Sequence, residues 1–479
     1  MSQQNLLVIM SDEHRRDAMG VMGHPIAKTP HLDKLAGEGC LFRRAYTASP
    51  MCVPTRAAFA TGTYVHQNRH WDSVAAYDGQ QKSWMHHLRN AGYETTSIGK
   101  LHFKSGDNDN GFSQEILPMH IVNETGWLVG LLRKDPPAYD VAYELAEQVG
   151  RGRSSYTDYD LAITQAAENW LADPARKAKP FAGFVSLVSP HYPLIAPDAF
   201  YDLYDPDEMP LPTGTLSSHP EIQNMARFFD YDSHFDEACM RRAIAAYYGL
   251  VSFMDDCVGR VVKALEAAGL AENTTVIYLS DHGEMLGDKG LWTKQVMYEA
   301  SAGIPMIMRG PDVPAGQIVD SPTHLLDVSA TALSLAGLEK PAAWPGLDLH
   351  QISFAERTGD DSLCERALLS EYHDGGSTTG AFMLVFGRYK YVYYAGMPAQ
   401  LFDLETDPDE EHDLINEPAY QAVAEEGRRR LFEICDPEAV SAQAFRDQAK
   451  IIADHGGRQA CLDAFLFNAT PIPEEVKTR

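Results

Sequence analysis

The chain has 479 residues, 44% hydrophobic and 22% charged, an ordinary globular composition with length for two domains or one large domain and an appendage. Its net charge of −27 sets the surface against nucleic acid and anionic membranes, and no apolar run is long enough to span a bilayer. Seven cysteines spread from Cys40 to Cys461 make no disulfide framework and fit a reducing compartment. Leu6–Met10 predicts a first buried strand; it lacks the basic lead and the length of a signal peptide, so the cytoplasm is the expected location. The strand runs into Ser11-Asp12-Glu13-His14. Adjacent carboxylates after a strand make either a solvated turn or an oxygen-rich site for a hard divalent cation. A helix is predicted over Pro30–Glu38.

Cys52-Val53-Pro54-Thr55-Arg56, with Thr61-Gly62 shortly after, comes next. Pro54 suits a first helical turn, a helix N-terminus stabilises negative charge, and Arg56 adds a fixed cation. The segment reads as a nucleophile in an anion pocket; alone, it reads equally as a structural cysteine beside a helix start. A helix over Ser83–Ala91 and a strand over Tyr93–Ile98 follow, then Gly99-Lys100-Leu101-His102. Lys and His at i and i+2 on an extended strand end point the same way and can face one anion. Residues 104–155 look irregular. A helix over Asp158–Ala172 leads to a strand over Phe181–Val188, ending on Ser189-Pro190-His191-Tyr192-Pro193; 193–235 is again irregular. Segments of that length are usually covers or small subdomains.

Beyond them lie a helix (Arg241–Ala268), a strand (Thr275–Leu279), then Ser280-Asp281-His282-Gly283-Glu284, Trp292-Thr293-Lys294 ahead of Tyr298-Glu299, a strand (Ile304–Met308) and a helix (Thr323–Ala336). Gly92, Gly269 and Gly337 sit where helix C-caps are expected. This alternation predicts an α/β sandwich on a largely parallel sheet, with Asp12, His191 and Asp281-His282 along its carboxyl edge. Ala381–Phe386, Tyr389–Tyr394 and Leu401–Leu404 predict short antiparallel strands. The expected division is a catalytic domain over 1–364, a small sheet over 365–435 and a tail over 436–479 that contacts a partner subunit or the active site and, with the two irregular segments, shapes the pocket.

Cys-x-Pro-x-Arg with the following Thr-Gly resembles the signature of the sulfatase family, whose cysteine is oxidised to formylglycine. The resemblance runs in the family's order over residues 5–310 and again over 365–415. It implies the alkaline-phosphatase-like fold and a metal, Ca2+ or Mn2+, on Asp12, Glu13, Asp281, His282 and an oxygen of residue 52. Arg56, Lys100 and Lys294 would offset charge on the ester. Asp281 would take the proton of the residue-52 hydroxyl, His191 or Lys294 would protonate the leaving oxygen, and His102 would assist sulfate release. Two positions depart from the pattern: Glu13 stands where Asp or Gln is familiar, and His282 replaces the Asn of the best-known arylsulfatases. The Asp-His pair looks more like choline sulfatases and phosphonate monoester hydrolases. The resemblance thus implies a hydrolase of aryl or small organic sulfate esters, with a formylglycine-generating enzyme as maturation partner; the tail, packing on a partner subunit, makes a homo-oligomer the expected assembly. Hydrolysis of phosphonate monoesters or phosphodiesters is the alternative, and a metal-binding protein with an unmodified thiol is the remote one. Phe103, Tyr192 and Trp292 are candidates for the leaving-group pocket. Ser73 is a loosely held anion contact; His66, His70, His86, His87, His324 and His373 read as structural.

Overall fold

The computed structural model describes residues 4–137, 142–464 and 469–477. Eight strands form the main sheet: β1 (Asn5–Asp12), β2 (Cys40–Phe42), β3 (Glu94–Lys100), β4 (Gln114–Met119), β5 (Phe181–Pro190), β6 (Thr274–Ser280), β7 (Met306–Arg309) and β8 (Gln317–Val319). Their order is β8-β2-β7-β6-β1-β5-β3-β4. The run β6-β1-β5-β3-β4 is parallel throughout, and β7 lies antiparallel between β6 and β2.

β1 is buried over its full length because both faces are covered, as expected of a parallel strand between helices. Its alternate residues serve two layers. Leu6, Val8 and Met10 face the cluster containing helices α2 (Cys52–Thr61) and α5 (Leu325–Leu335). Leu7 and Ile9 face α1 (Pro30–Gly37), α3 (Ser155–Ala172) and α4 (Glu237–Ala267). A second sheet is an antiparallel meander of β9 (Leu368–Tyr372), β10 (Ala381–Phe386), β11 (Tyr389–Tyr394) and β12 (Gln400–Asp403). Helix α6 (Pro437–Asp454) packs Ala444 on Val65 and Trp71, and residues 469–477 return to the α3 layer through Ile472 and Val476.

Four details differ from the sequence reading. The span 104–155 is not wholly irregular, since β4 pairs in parallel with β3 as the sheet's edge; its Gln114, Glu115 and Pro118 hide it from a pattern search, and an edge is where Pro is tolerated. The span 193–235 carries a helix, Pro220–Phe229, and Leu194–Ala196 pairs with Val149–Arg151. The strand at 304–308 is broken at Pro305 and serves two sheets, Gly303–Ile304 pairing with Ala45–Tyr46. The small sheet has one strand more than predicted, β9. Gly92, Gly269 and Gly337 take positive φ at helix ends as expected. All seven cysteines are free, and among the described residues no helix is long and apolar enough to cross a membrane.

Candidate active site

The site lies beyond the carboxyl ends of the parallel strands, where an α/β sheet gathers its chemistry. β1 delivers Asp12, β6 leads into Asp281-His282, β5 into His191, and β3 into Lys100 and His102. α2 begins at Cys52 and so brings residue 52 to the same place. Two glycines make this possible. A Cβ on Gly99 would lie 2.2 Å from the Ser186 carbonyl, so Lys100 reaches its place only after a glycine; a Cβ on Gly62, which ends α2 with φ 66°, would strike Trp344.

Donor atoms of Asp12, Cys52, Asp281 and His282, all buried, lie within 4.8 Å of one another. Cys52 Sγ is 3.2 Å from His282 Nε2 and 3.7 Å from Asp12 Oδ1. His282 Nε2 is 3.5 Å from Asp12 Oδ1 and 3.6 Å from Asp281 Oδ1. Such separations are those of ligands sharing one ion, and two carboxylates with one imidazole suit a divalent cation of the calcium or manganese kind. The donor set therefore fits the implied metal. Glu13 is not among these four but joins Asp12 and His191 in a second group of donor atoms within 4.8 Å of one another. Its Oε2 accepts from Lys294 Nζ at 2.9 Å and lies 3.4 Å from His191 Nε2. Its φ of 68° is a strained value for a glutamate, one of the places where sites store strain.

Arg56 donates to Asp281 Oδ2 at 2.8 Å, to the Lys100 carbonyl and to Ser186; its Nη2 is 3.6 Å from Asp12. It braces the carboxylates from behind and is not part of the pocket wall. Lys100 Nζ contacts Asp12 Oδ2. The expected extended i, i+2 relation of Lys100 and His102 does not hold: His102 has φ 52°, and its backbone N–H turns to the Met119 carbonyl. Both side chains still line one pocket. Lys294 follows a loop held by Glu284, whose Oε1 accepts the N–H groups of Leu286 and Thr293 at 2.6 Å, and Gln295 N–H binds the Pro50 carbonyl.

Burial pushes the Cys52 thiol up to about 12, with Asp12 adding to the effect. A thiol so placed is protonated at neutral pH and is a poor nucleophile. Burial opposes charge on Asp12, but the cationic Lys100, with Lys294, outweighs it and holds its carboxyl well below the usual range. Burial also pushes the Glu13 carboxyl up to about 8, against the pull of Lys294. Lys294 resists burial through Cys52, Glu13 and Asp12 and stays above its ordinary range. His102 and His191 are held well below theirs, by burial first and by Lys100 and Lys294 respectively. Both are neutral. His191 Nδ1 faces the Tyr192 carbonyl at 2.6 Å and must donate to it, which leaves its Nε2 without a proton.

The pocket above residue 52 is walled by Ile121, Trp127, Tyr156, Tyr192, Phe229 and Tyr231. Of the three aromatics nominated from sequence, Tyr192 is there. Phe103 and Trp292 are not: Phe103 packs edge-on to Tyr77 at 4.8 Å in the core, and Trp292 stacks on Phe235 at 4.4 Å. Ser73 reaches the pocket, but its hydroxyl is bound to Asp374 at 2.6 Å. His66 pairs with Glu371, His70 with the Ala75 carbonyl, and His324 caps α5; His86 and His373 are buried in local contacts and His87 lies edge-on to Trp344. Trp127, Phe229, Tyr231 and Thr470 lie in the two long segments and the tail expected to shape the pocket, though no motif singles out any of them, and Tyr156 on α3 is missed altogether.

Residues 4–338 match the family model described as Sulfatase, and 287–436 match that for the C-terminal region of N-sulphoglucosamine sulphohydrolase. The chain is 32% identical over 433 residues to a choline-sulfatase of Rhizobium meliloti, covering 86% of this chain and 83% of that one. It is 29% identical over 444 residues to arylsulfatase K of Rattus norvegicus, covering 86% and 75%. A phosphonate monoester hydrolase from Silicibacter pomeroyi superposes with a TM-score of 0.72 at 24% identity, covering 90% of this chain and 95% of that one. A 2-O GAG sulfatase does so with 0.75 at 23%, covering 93% and 94%.

Proposed function

Because this chain belongs to the sulfatase family and is a sulfuric ester hydrolase, we propose that it cleaves aryl or small organic sulfate monoesters through a formylglycine at position 52 and one divalent cation. The observation that carries this reading is the buried set of Asp12, Cys52, Asp281 and His282 donors at the sheet's carboxyl edge, with a thiol too basic to act as it stands. Sγ of Cys52 marks the position of the modified residue's oxygen. A cation there, Ca2+ or Mn2+, would be held by Asp12, Asp281, His282 and that oxygen, and would supply charge withdrawal from the ester and a more acidic residue-52 hydroxyl. Oxidised to an aldehyde hydrate, residue 52 supplies one hydroxyl to attack sulfur and a second whose deprotonation lets sulfate go. Glu13 is better read as a hydrogen-bond partner of Lys294 than as a ligand.

The remaining work falls to fixed groups. Lys100 and Lys294 flank the ester oxygens and offset their charge, while Arg56 holds Asp12 and Asp281 in register. Asp281 takes the proton of the attacking hydroxyl. Lys294 or His191, both on the pocket wall, gives the proton to the leaving oxygen, a step worth about 10²–10⁴-fold. His102 takes the last proton. Maturation needs a formylglycine-generating enzyme, the compartment is the cytoplasm, and the assembly is a homo-oligomer. The test compares kcat/KM on p-nitrophenyl sulfate with that on a matched phosphonate monoester, before and after chelation. The reading expects the sulfate to be preferred and activity to vanish with chelation and return with the cation. A preference for the phosphonate would instead support the alternative of a phosphonate monoester hydrolase, the activity of a fold neighbour.

A further inference from the structure

We propose that Thr470, delivered by the C-terminal segment, is a positioning residue that sets which ring nitrogen of His102 carries the proton. The inference rests on the role given to His102 above. The His102 main chain is fixed by its N–H bond to Met119 O, so the ring torsions and the tautomer are the remaining freedoms. Ring Nε2 lies 3.1 Å from Thr470 Oγ1, and Nδ1 is buried with no hydrogen-bond partner among the described residues. A neutral imidazole carries one ring proton. With that proton on Nε2 and donated to the Thr470 hydroxyl, Nδ1 keeps its lone pair for the proton it must take. The reverse tautomer buries an N–H with no acceptor, which is the costlier orphan.

Thr470 is itself anchored. Its carbonyl accepts the Tyr156 hydroxyl at 2.9 Å, and Ile472 and Val476 are buried in the same apolar layer as Tyr156 and Ile163. The Tyr156 ring also meets His191 edge-on, with centroids 5.9 Å apart. One turn further along α3, Asp160 accepts the N–H groups of Val188 and Ser189 at 2.7 Å, steadying the loop that carries His191. One face of α3 therefore sets both histidines, one of them through the C-terminal segment.

The test uses full-length protein with 15N-labelled histidine, in wild type, T470V, T470S and Y156F, with H102N identifying the His102 signals. Wild type and T470S are expected to show the Nε2–H tautomer, and T470V and Y156F a mixture. On p-nitrophenyl sulfate, T470V is expected to lose about tenfold in kcat with KM within about twofold, and T470S to restore kcat. Should T470V melt early, Y156F carries the same comparison. Unchanged His102 signals and kcat in T470V, or in Y156F where T470V does not fold, overturn the proposal. An inactive wild type would count against the catalytic reading, while the ring signals still decide the role of Thr470.

Discussion

Cys52 presents the chemistry in its smallest form. Its thiol is buried, lies 3.2 Å from His282 Nε2 and is pushed up to about 12, which suits the proposed role of a precursor rather than of a nucleophile as it stands. Cys52→Ala is expected to abolish turnover while melting within a few degrees of wild type, since it removes one sulfur atom from a residue anchored by its helix. Cys52→Ser is expected to react once and stall, because a serine ester has no second hydroxyl to expel sulfate; intact-mass measurement should show a gain of about 80 Da. Continued turnover by the serine variant would contradict the need for a hydrated aldehyde. Among the donors, Asp281→Asn and His282→Ala are each expected to weaken divalent-cation binding at least about tenfold, read by calorimetry on chelator-stripped protein. Glu13→Gln should leave that affinity nearly unchanged. The motif strings were legible because each chemical role sits in a short run of fixed spacing. Phe103 and Trp292 misled because adjacency to a motif says nothing about which way a side chain faces. Tyr156 and Thr470 meet across 314 positions of sequence, and no local pattern marks either.

Among the elements, legibility followed burial. β1, β5 and β6 are covered on both faces and read as apolar runs. β4, at the sheet edge, carries polar residues and Pro118 and has no strand-like pattern in sequence. Thr323–His324 looked helical but is spent pairing with Ala45–Tyr46, so α5 starts at Leu325. A cross-element tie was also invisible. Lys390 of β11 is fully buried and donates to Glu410 Oε1 at 2.8 Å and to the Met297 carbonyl at 2.9 Å, and pairs with Glu299 Oε1 at 2.7 Å. Arg16, just past β1, contacts the same Glu299. Burial resists charge on Glu299, but Lys390 and Arg16 overcome it and bring its carboxyl down to about 2. A carboxyl lowered on folding stabilises fully above its unfolded value near 4.5, and that stability is lost as pH falls through about 2. Glu299→Gln is therefore expected to cost about 3 kcal/mol at pH 7, with the gap to wild type closing between pH 4.5 and 2 in denaturant titrations. A gap independent of pH would mean that the charge of Glu299 contributes nothing.

For the whole molecule, the strand–helix alternation was enough to give an α/β sandwich with a small antiparallel sheet beside it. The proposed division at 364/365 is crossed by one family match and one buried ion pair. The model for the N-sulphoglucosamine sulphohydrolase C-terminal region spans 287–436, and the Lys390–Glu299 pair bridges the same boundary. The two parts are therefore expected to unfold in one transition by calorimetry; two resolved transitions would favour independent domains. The net charge of −27 makes the surface adverse to an anionic ester, so capture depends on the local field of Lys100, Lys294 and the cation, and KM should rise as the cation is withdrawn. All of the proposed chemistry requires Cys52 to be the precursor of a formylglycine. Trypsin cuts after Arg44 and Arg56 and releases residue 52 in one peptide. In active protein from its native host, mass spectrometry of that peptide should find a species about 18 Da lighter than the cysteine form, its fraction tracking specific activity across preparations. Full activity with residue 52 entirely as unmodified cysteine would contradict the account.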